Sequence, residues 1–338
     1  MSAAASPLAR RLEAHLARRK RWRWPEIGFW LAALAAILIF PSRAALINEI
    51  LIAGLFALSL DLILGLTGIV SLGQAAFLGL GAYAAAILAS QGWADPTLGL
   101  LFGSATAALL GFLTAPLVLR GADLTRLMVT LGVSLMLGEL ANRNGWLTGG
   151  ADGLNFSMGK VLGLFPIDFT GQRNAALYSL VVLFVLFALA RRLAQSPFGL
   201  ALAAIRENRL RAGALGIAAH RRMIAVYAVS AAYAGAAGAL LAQTTQIVAL
   251  DLFDFQRSAD VMLMLIIGGA GYLYGGLIGA AAFILLRDLI SSATAEYWEF
   301  WIGALLVALV VIGRERIRET ALRAFGAIAP RAARRRPA

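Results

Sequence analysis

The stretch Gly65-Leu66-Thr67-Gly68-Ile69-Val70-Ser71-Leu72-Gly73-Gln74 sits among long apolar runs. It sets three glycines beside Thr67, Ser71 and Gln74, where an uninterrupted apolar helix would carry leucine or valine. Open backbone inside a bilayer is tolerated only where protein or a watery cavity satisfies its amides and carbonyls. The stretch therefore predicts a broken helix buried inside a bundle. A second one, Gly268-Gly269-Ala270-Gly271-Tyr272-Leu273-Tyr274-Gly275-Gly276, lies near the far end. Paired glycine-interrupted segments point to internal repetition around a central pathway. The runs 68–79 and 271–282 share glycine-rich starts and small-residue continuations, so an internal two-fold repeat is expected.

Working outward, the composition is that of a lipid-facing protein. Of the 338 residues, 60% are hydrophobic and 14% charged, against about 45–50% and about 25% in soluble domains. The mean hydropathy is +0.79. With no cysteine, neither disulfides nor thiolate metal sites arise. The net charge of +12 would fit nucleic acid, but its placement argues against that class. Residues 10–23 hold seven Lys/Arg, 191–222 hold seven and 314–336 hold eight. Short basic segments between apolar runs are the mark of cytosolic loops.

A bilayer core of about 30 Å takes about 20 helical residues. Runs of that kind fall at 25–40, 45–64, 70–90, 97–119, 122–140, 175–190, 223–243, 259–271, 273–290 and 297–313, which predicts about ten spans. Trp22 and Trp24 fit an interfacial belt at the first run, and Tyr297, Trp298 and Trp301 at the last. Six runs precede the basic segment 191–222 and four follow it; both counts are even, as a common cytosolic side requires. The expectation is an all-α polytopic transmembrane bundle. A basic cytoplasmic segment at 1–24 precedes a transmembrane domain at 25–313, which carries the segment 191–222, and a basic cytoplasmic tail at 314–338 follows. Leu38-Ile39-Phe40-Pro41 lacks a small-residue cleavage pattern, so the first span is expected to stay in the mature protein.

Two connections carry most of the remaining information. The segment 141–174 falls outside and contains Thr148-Gly149-Gly150-Ala151-Asp152-Gly153, a turn-rich run. On the cytosolic side, Ser196-Pro197 is a helix start: serine caps free amides and proline suits the first helical position. The helix it opens places Leu202, Ile205 and Arg209 on one face, with Arg206, Glu207 and Asn208 elsewhere, and Gly213 and Gly216 end or bend it. A short amphipathic helix of this kind fits either a partner's groove or the membrane surface.

Catalytic parts are missing. The two histidines, His15 and His220, lie in basic segments, which leaves general-base and metal chemistry without its usual residues, and no metal site is expected. No phosphate-binding Gly-x-x-x-x-Gly-Lys-Ser/Thr occurs; the string from Gly153 to Lys160 has the wrong spacing and Val161 where a hydroxyl belongs. Asp61, Glu139, Arg287 and Asp288 fall within or at the ends of spans. Ionisable groups there mark pathways or helix pairs. Asp61, about a turn from the cytosolic end, is a candidate for the route, whereas the other three lie where snorkelling suffices.

Gly68-Ile69-Val70-Ser71-Leu72-Gly73-Gln74-Ala75-Ala76-Phe77-Leu78-Gly79-Leu80-Gly81-Ala82-Tyr83 resembles the signature of branched-chain amino acid ABC transporter permeases of the LivM type. Leu147-Thr148-Gly149-Gly150-Ala151-Asp152-Gly153-Leu154 resembles that family's external segment, and Ser196-Pro197-Phe198-Gly199 through Leu215-Gly216-Ile217 its cytoplasmic coupling region. All three occur in family order, over about residues 45–315. The resemblance implies a pore shared with a second, homologous permease chain in the bacterial inner membrane, with both termini cytoplasmic. Two ATPase subunits would dock below and a periplasmic solute-binding protein would deliver a small amino acid. ATP would be bound by the partner, with no cofactor on this chain. It also implies that Ser71, Gly73 and Gln74 lie at the translocation pathway, and that Ala203, Arg206, Glu207, Asn208, Leu215 and Gly216 couple to the ATPase. Thr148, Gly149, Gly150 and Asp152 form the external motif. The signature often carries His where this chain has Gln74. Urea or amide uptake by the same kind of importer is the nearest alternative. An ion-driven stand-alone transporter and a membrane-embedded enzyme are rivals of other classes, and the scarcity of carboxylates at membrane depth counts against the former.

Overall fold

The computed structural model describes residues 24–121, 123–159, 171–293, 300–301 and 303–304. The chain divides into two compact units, Met1–Phe283 and Ile284–Ala338. Nearly all of the first basic segment, the whole basic tail and most of the run 297–313 lie outside the described residues.

In chain order the helices are α1 (Trp24–Ile39), α2 (Ala44–Thr67), α3 (Gln74–Ser90), α4 (Pro96–Val118), α5 (Asp123–Arg143), α6 (Gln172–Ala194), α7 (Pro197–Glu207), α8 (Arg209–Ala214), α9 (Ala219–Thr245), α10 (Phe255–Gly268) and α11 (Leu273–Ala293). Among the described residues, one two-stranded antiparallel ladder pairs β1 (Leu154–Asn155) with β2 (Ile247–Val248), Leu154 opposite Val248. The predicted runs up to 290 each fall on one of these helices. Among the described residues, six helices are long and apolar enough to cross a membrane, fewer than the ten runs. Three of the four remaining runs are short helices, and the fourth, 297–313, lies mostly outside the described residues. At 1.5 Å per residue, α1, α3 and α10 measure about 24, 26 and 21 Å, short of a bilayer core of about 30 Å.

The core of the first unit forms around α9, which packs chiefly against α4, α3 and α2. Its run Ala231-Ala232-Tyr233-Ala234-Gly235-Ala236-Ala237-Gly238 explains why. Helices in lipid gain little from hydrophobic burial against one another, so close backbone approach through small residues has to hold them. A side chain on Gly81 would run into the Gly235 backbone, and one on Gly238 into the Leu78 carbonyl. By contrast α4, α5 and α6 expose Leu101, Phe102, Leu113, Met128, Leu135 and Val181, the large apolar side chains expected to face lipid or a partner helix.

Helix ends follow the sequence signals. Asp95 Oδ1 accepts from Thr97 N at 2.9 Å, with Pro96 in the first position of α4. Ser196 Oγ likewise accepts from Gly199 N at 3.4 Å ahead of α7. A break at Asn208 was not expected: its extended backbone splits the helix opened at Ser196-Pro197 into α7 and α8, and its Oδ1 accepts from Arg211 N at 3.0 Å. A short amide side chain competes for backbone hydrogen bonds and so favours a cap over a helix interior.

Candidate translocation site and coupling segment

The break quoted at the outset is present. Gly68 ends α2 in the left-handed conformation, φ 75°, its N–H donating to Leu64 O at 2.9 Å. Residues 68–73 are then non-helical until α3 begins at Gln74. The open amides here are met by hydroxyls from two other helices and from the turn itself. Leu72 N donates to Thr130 Oγ1 at 3.2 Å, Gly73 N to Ser71 Oγ at 3.3 Å and Ala75 N to Ser258 Oγ at 3.0 Å. Gly73 is required here, because a Cβ would lie 2.7 Å from Thr130 O. Each hydroxyl satisfies a group that would otherwise cost about 1–3 kcal/mol when buried.

Gln74 is fully buried and donates from Nε2 to Ser230 Oγ at 3.1 Å; Ser230 in turn donates to Ser59 O at 2.6 Å. Ser230 lies eleven residues into α9, about 17 Å from its start, so the break sits deep along that helix. The Gln74 Oε1 atom is buried with no hydrogen-bond partner among the described residues. Ser71, Gly73 and Gln74 are thus brought together, enclosed within the chain.

A second intrusion was not read from the sequence. The short turn Leu250–Phe253 buries Leu252 and Phe253. Phe253 stacks on Tyr83 with ring centroids 5.6 Å apart, and its carbonyl accepts from Ser134 Oγ at 2.9 Å. It also fills the space left by Gly79. The segment 244–258, expected as a loop, thus packs into the bundle, and α10 starts beside the Gln74 turn through the Ser258–Ala75 bond. The available signal was the shortness of the run 259–271, too short to cross alone.

Asp61 is brought elsewhere. Only 1% exposed, it accepts from Gly271 N at 2.7 Å across 210 residues, at the second glycine break. Gly269 and Gly271 there have φ of 104° and 88°, which only glycine adopts without strain. Gly65 packs onto Gly271 so closely that a Cβ would lie 2.9 Å from its nitrogen. The run 271–282 thus opens on a left-handed glycine, as 68–79 does. Its helix follows after one residue, however, whereas the run after Gly68 stays open for five residues.

In the coupling segment Ala203, Glu207, Asn208, Leu215 and Gly216 are exposed. Arg206 turns back onto the bundle and donates from Nη1 to Gly65 O at 2.5 Å. The sequence reading passed over Leu210, whose side chain is 86% exposed beside Leu215 at 79%. On the opposite side, Thr148 Oγ1 donates to Ala141 O at 2.6 Å and accepts from Gly150 N at 3.3 Å. Gly149, Gly150 and Gly153 all have positive φ, and Gly153 fits against Val248 O. Asp152 projects outward. The Thr148–Gly153 motif is therefore a built turn that feeds the β1–β2 ladder. Of the other ionisable groups at span ends, Glu139 does more than snorkel: it pairs with Arg143 at 2.8 Å on the surface. Arg191 and Glu26 form a largely buried pair at 2.5 Å that joins α6 to α1.

Residues 42–310 match the family described as the branched-chain amino acid transport system permease component. The chain belongs to this family. It is also similar to two curated proteins named as high-affinity branched-chain amino acid transport system permease protein LivM. One, from Escherichia coli K12, is 29% identical over 284 residues; the other, from Salmonella typhimurium LT2, is 30% identical over 282. In both cases the match covers 76% of this chain and 65% of the relative, so it spans just under two thirds of the relatives' length. No solved structure matches. The matched range contains both glycine breaks, the external turn and α7–α8. As a family member with several helices able to cross a bilayer, the chain is a multi-pass membrane protein.

Proposed function

We propose that this chain is the membrane-spanning permease subunit of an ATP-binding cassette importer that carries branched-chain amino acids across the bacterial inner membrane. The family match over residues 42–310 carries the reading, and the names of the relatives support the substrate class. The chain pairs with a second homologous permease, takes solute from a periplasmic binding protein and docks two ATPase subunits, on which ATP is bound and hydrolysed. It holds no cofactor or metal and performs no covalent chemistry. The exposed Ala203, Glu207, Asn208, Leu215 and Gly216, together with Leu210, form the docking surface. Ser71, Gly73 and Gln74 shape the pathway around the first break, and Asp61 lies on its cytosolic side. Thr148, Gly149, Gly150 and Asp152 present the external surface that meets the binding protein. The same proposal counts about ten crossings arranged as two repeats, with both termini in the cytosol.

The test is reconstitution in proteoliposomes of the two permeases and the ATPases, with the binding protein outside. Labelled leucine should accumulate only with ATP on the cytosolic side, and excess unlabelled isoleucine should compete while urea does not. Accumulation by this chain alone on an ion gradient would overturn the reading. Competition by urea in place of isoleucine would reassign the substrate.

A further inference from the structure

The last carbonyls of a helix lack intrahelical partners and carry partial negative charge, so a cation there is favourable. Gly65 O, in the final turn of α2, accepts from Arg206 Nη1, which belongs to the cytosolic helix α7. The aliphatic stem of the same arginine covers Gly68, where a Cβ would meet its Cγ at 3.4 Å. Its Nη1 also lies against Gly271, 3.3 Å from where a Cβ would be. On the inner side of that contact, the buried Asp61 carboxylate holds the Gly271 amide. One side chain therefore touches both glycine breaks, and the two breaks touch each other through Gly65 and Gly271.

We propose that Arg206 is a positioning residue that ties α7 to both backbone breaks, so that displacing the cytosolic helix moves 65–73 and 269–271 together. The inference rests on the transport reading for its purpose but not for its geometry. The chemistry suits arginine: a planar guanidinium reaches a carbonyl while its stem packs on glycine, and a lysine ammonium offers no such fork. The neighbouring residues have other tasks. Asn208 caps α8, and Glu207 projects outward. Positive φ at Gly68, Gly269 and Gly271 makes these the places where backbone can rearrange without a side chain in the way.

Two measurements test it, using Arg206→Ala and Arg206→Lys; the exposed position keeps both variants compatible with folding. The first is amide hydrogen exchange on the full chain in nanodiscs. Arg206→Ala should speed exchange in 66–73 and 269–273 by roughly tenfold or more, the scale of one charge-assisted hydrogen bond, and leave 145–159 unchanged. Arg206→Lys should fall between. Unchanged exchange at both breaks would overturn the tie, whatever the chain transports. The second uses the reconstituted importer: ATPase co-purification should persist while solute moved per ATP hydrolysed falls by a similar factor. Loss of the ATPases from Arg206→Ala would make Arg206 a docking residue and overturn the proposal, as would uptake per ATP within twofold of the unaltered complex. If the unaltered importer showed no ATP-driven uptake, the transport reading would fail, and the exchange result would still decide the tie.

Discussion

At the scale of single residues, hydroxyls do the work that water would do outside a membrane. Thr130, Ser71 and Ser258 each meet one amide of the first break, and Ser230 accepts from Gln74 while donating to Ser59 O. Replacing Ser230 with alanine strands Gln74 Nε2 next to an Oε1 that already has no partner. A buried donor left unmet costs about 1–3 kcal/mol, so Ser230→Ala should unfold at a lower temperature in detergent than the parent chain. Ser90→Ala, at an exposed hydroxyl that bonds only Ile87 O, is the control and should stay within about 0.5 kcal/mol. Equal melting of the two variants would show that the Gln74 chain is not structural. Apart from Ser71, none of these partners was legible in the sequence, because Ser230, Ser258 and Thr130 come from helices 58 to 183 residues away. The glycines were legible, since they fall together with Thr67, Ser71 and Gln74 where an apolar helix would otherwise run.

At the scale of elements, what could be read was what local chemistry fixes. Ser196-Pro197 announced a capped helix and Asp95-Pro96 opens another, both by side chains adjacent to the amides they meet. The split at Asn208 depends on competition between two acceptable local structures, which the run of helix formers around it concealed. The dip of Leu252 and Phe253 depends on Gly79 leaving room on another helix, which no local pattern records. The split also turns Leu210 and Leu215 outward on a polar, basic segment. Apolar side chains in such a setting signal a partner. Leu210→Glu should therefore reduce co-purified ATPase severely, while the chain's own melting temperature stays unchanged, since the side chain buries almost nothing in the free chain. Co-purification at the parental level would remove α8 from the docking surface.

At the scale of the molecule, the contacts sort into two groups that agree with the charge pattern. The 91–96, 141–159 and 244–258 segments meet one another: Gly159 N donates to Ala94 O at 2.8 Å, Phe156 N to Gln246 O at 3.2 Å, and β1 pairs with β2. The basic segment 191–222 instead meets the ends of α1 and α2, through Arg191–Glu26 and Arg206–Gly65. The first group is poor in Lys/Arg and the second rich in it, the distribution that the positive-inside rule asks for under the proposed cytosolic placement of the second. The absence of cysteine makes this directly measurable. Single cysteines at exposed Asp152 and Leu210 report the two groups without any other thiol reacting. In intact cells a membrane-impermeant maleimide should label Asp152→Cys and spare Leu210→Cys, and in inverted vesicles the order should reverse. Labelling of both from one side would place α7–α8 and the Thr148–Gly153 turn on the same face, and ATPase docking at Leu210 and a binding protein meeting Asp152 could not then both hold.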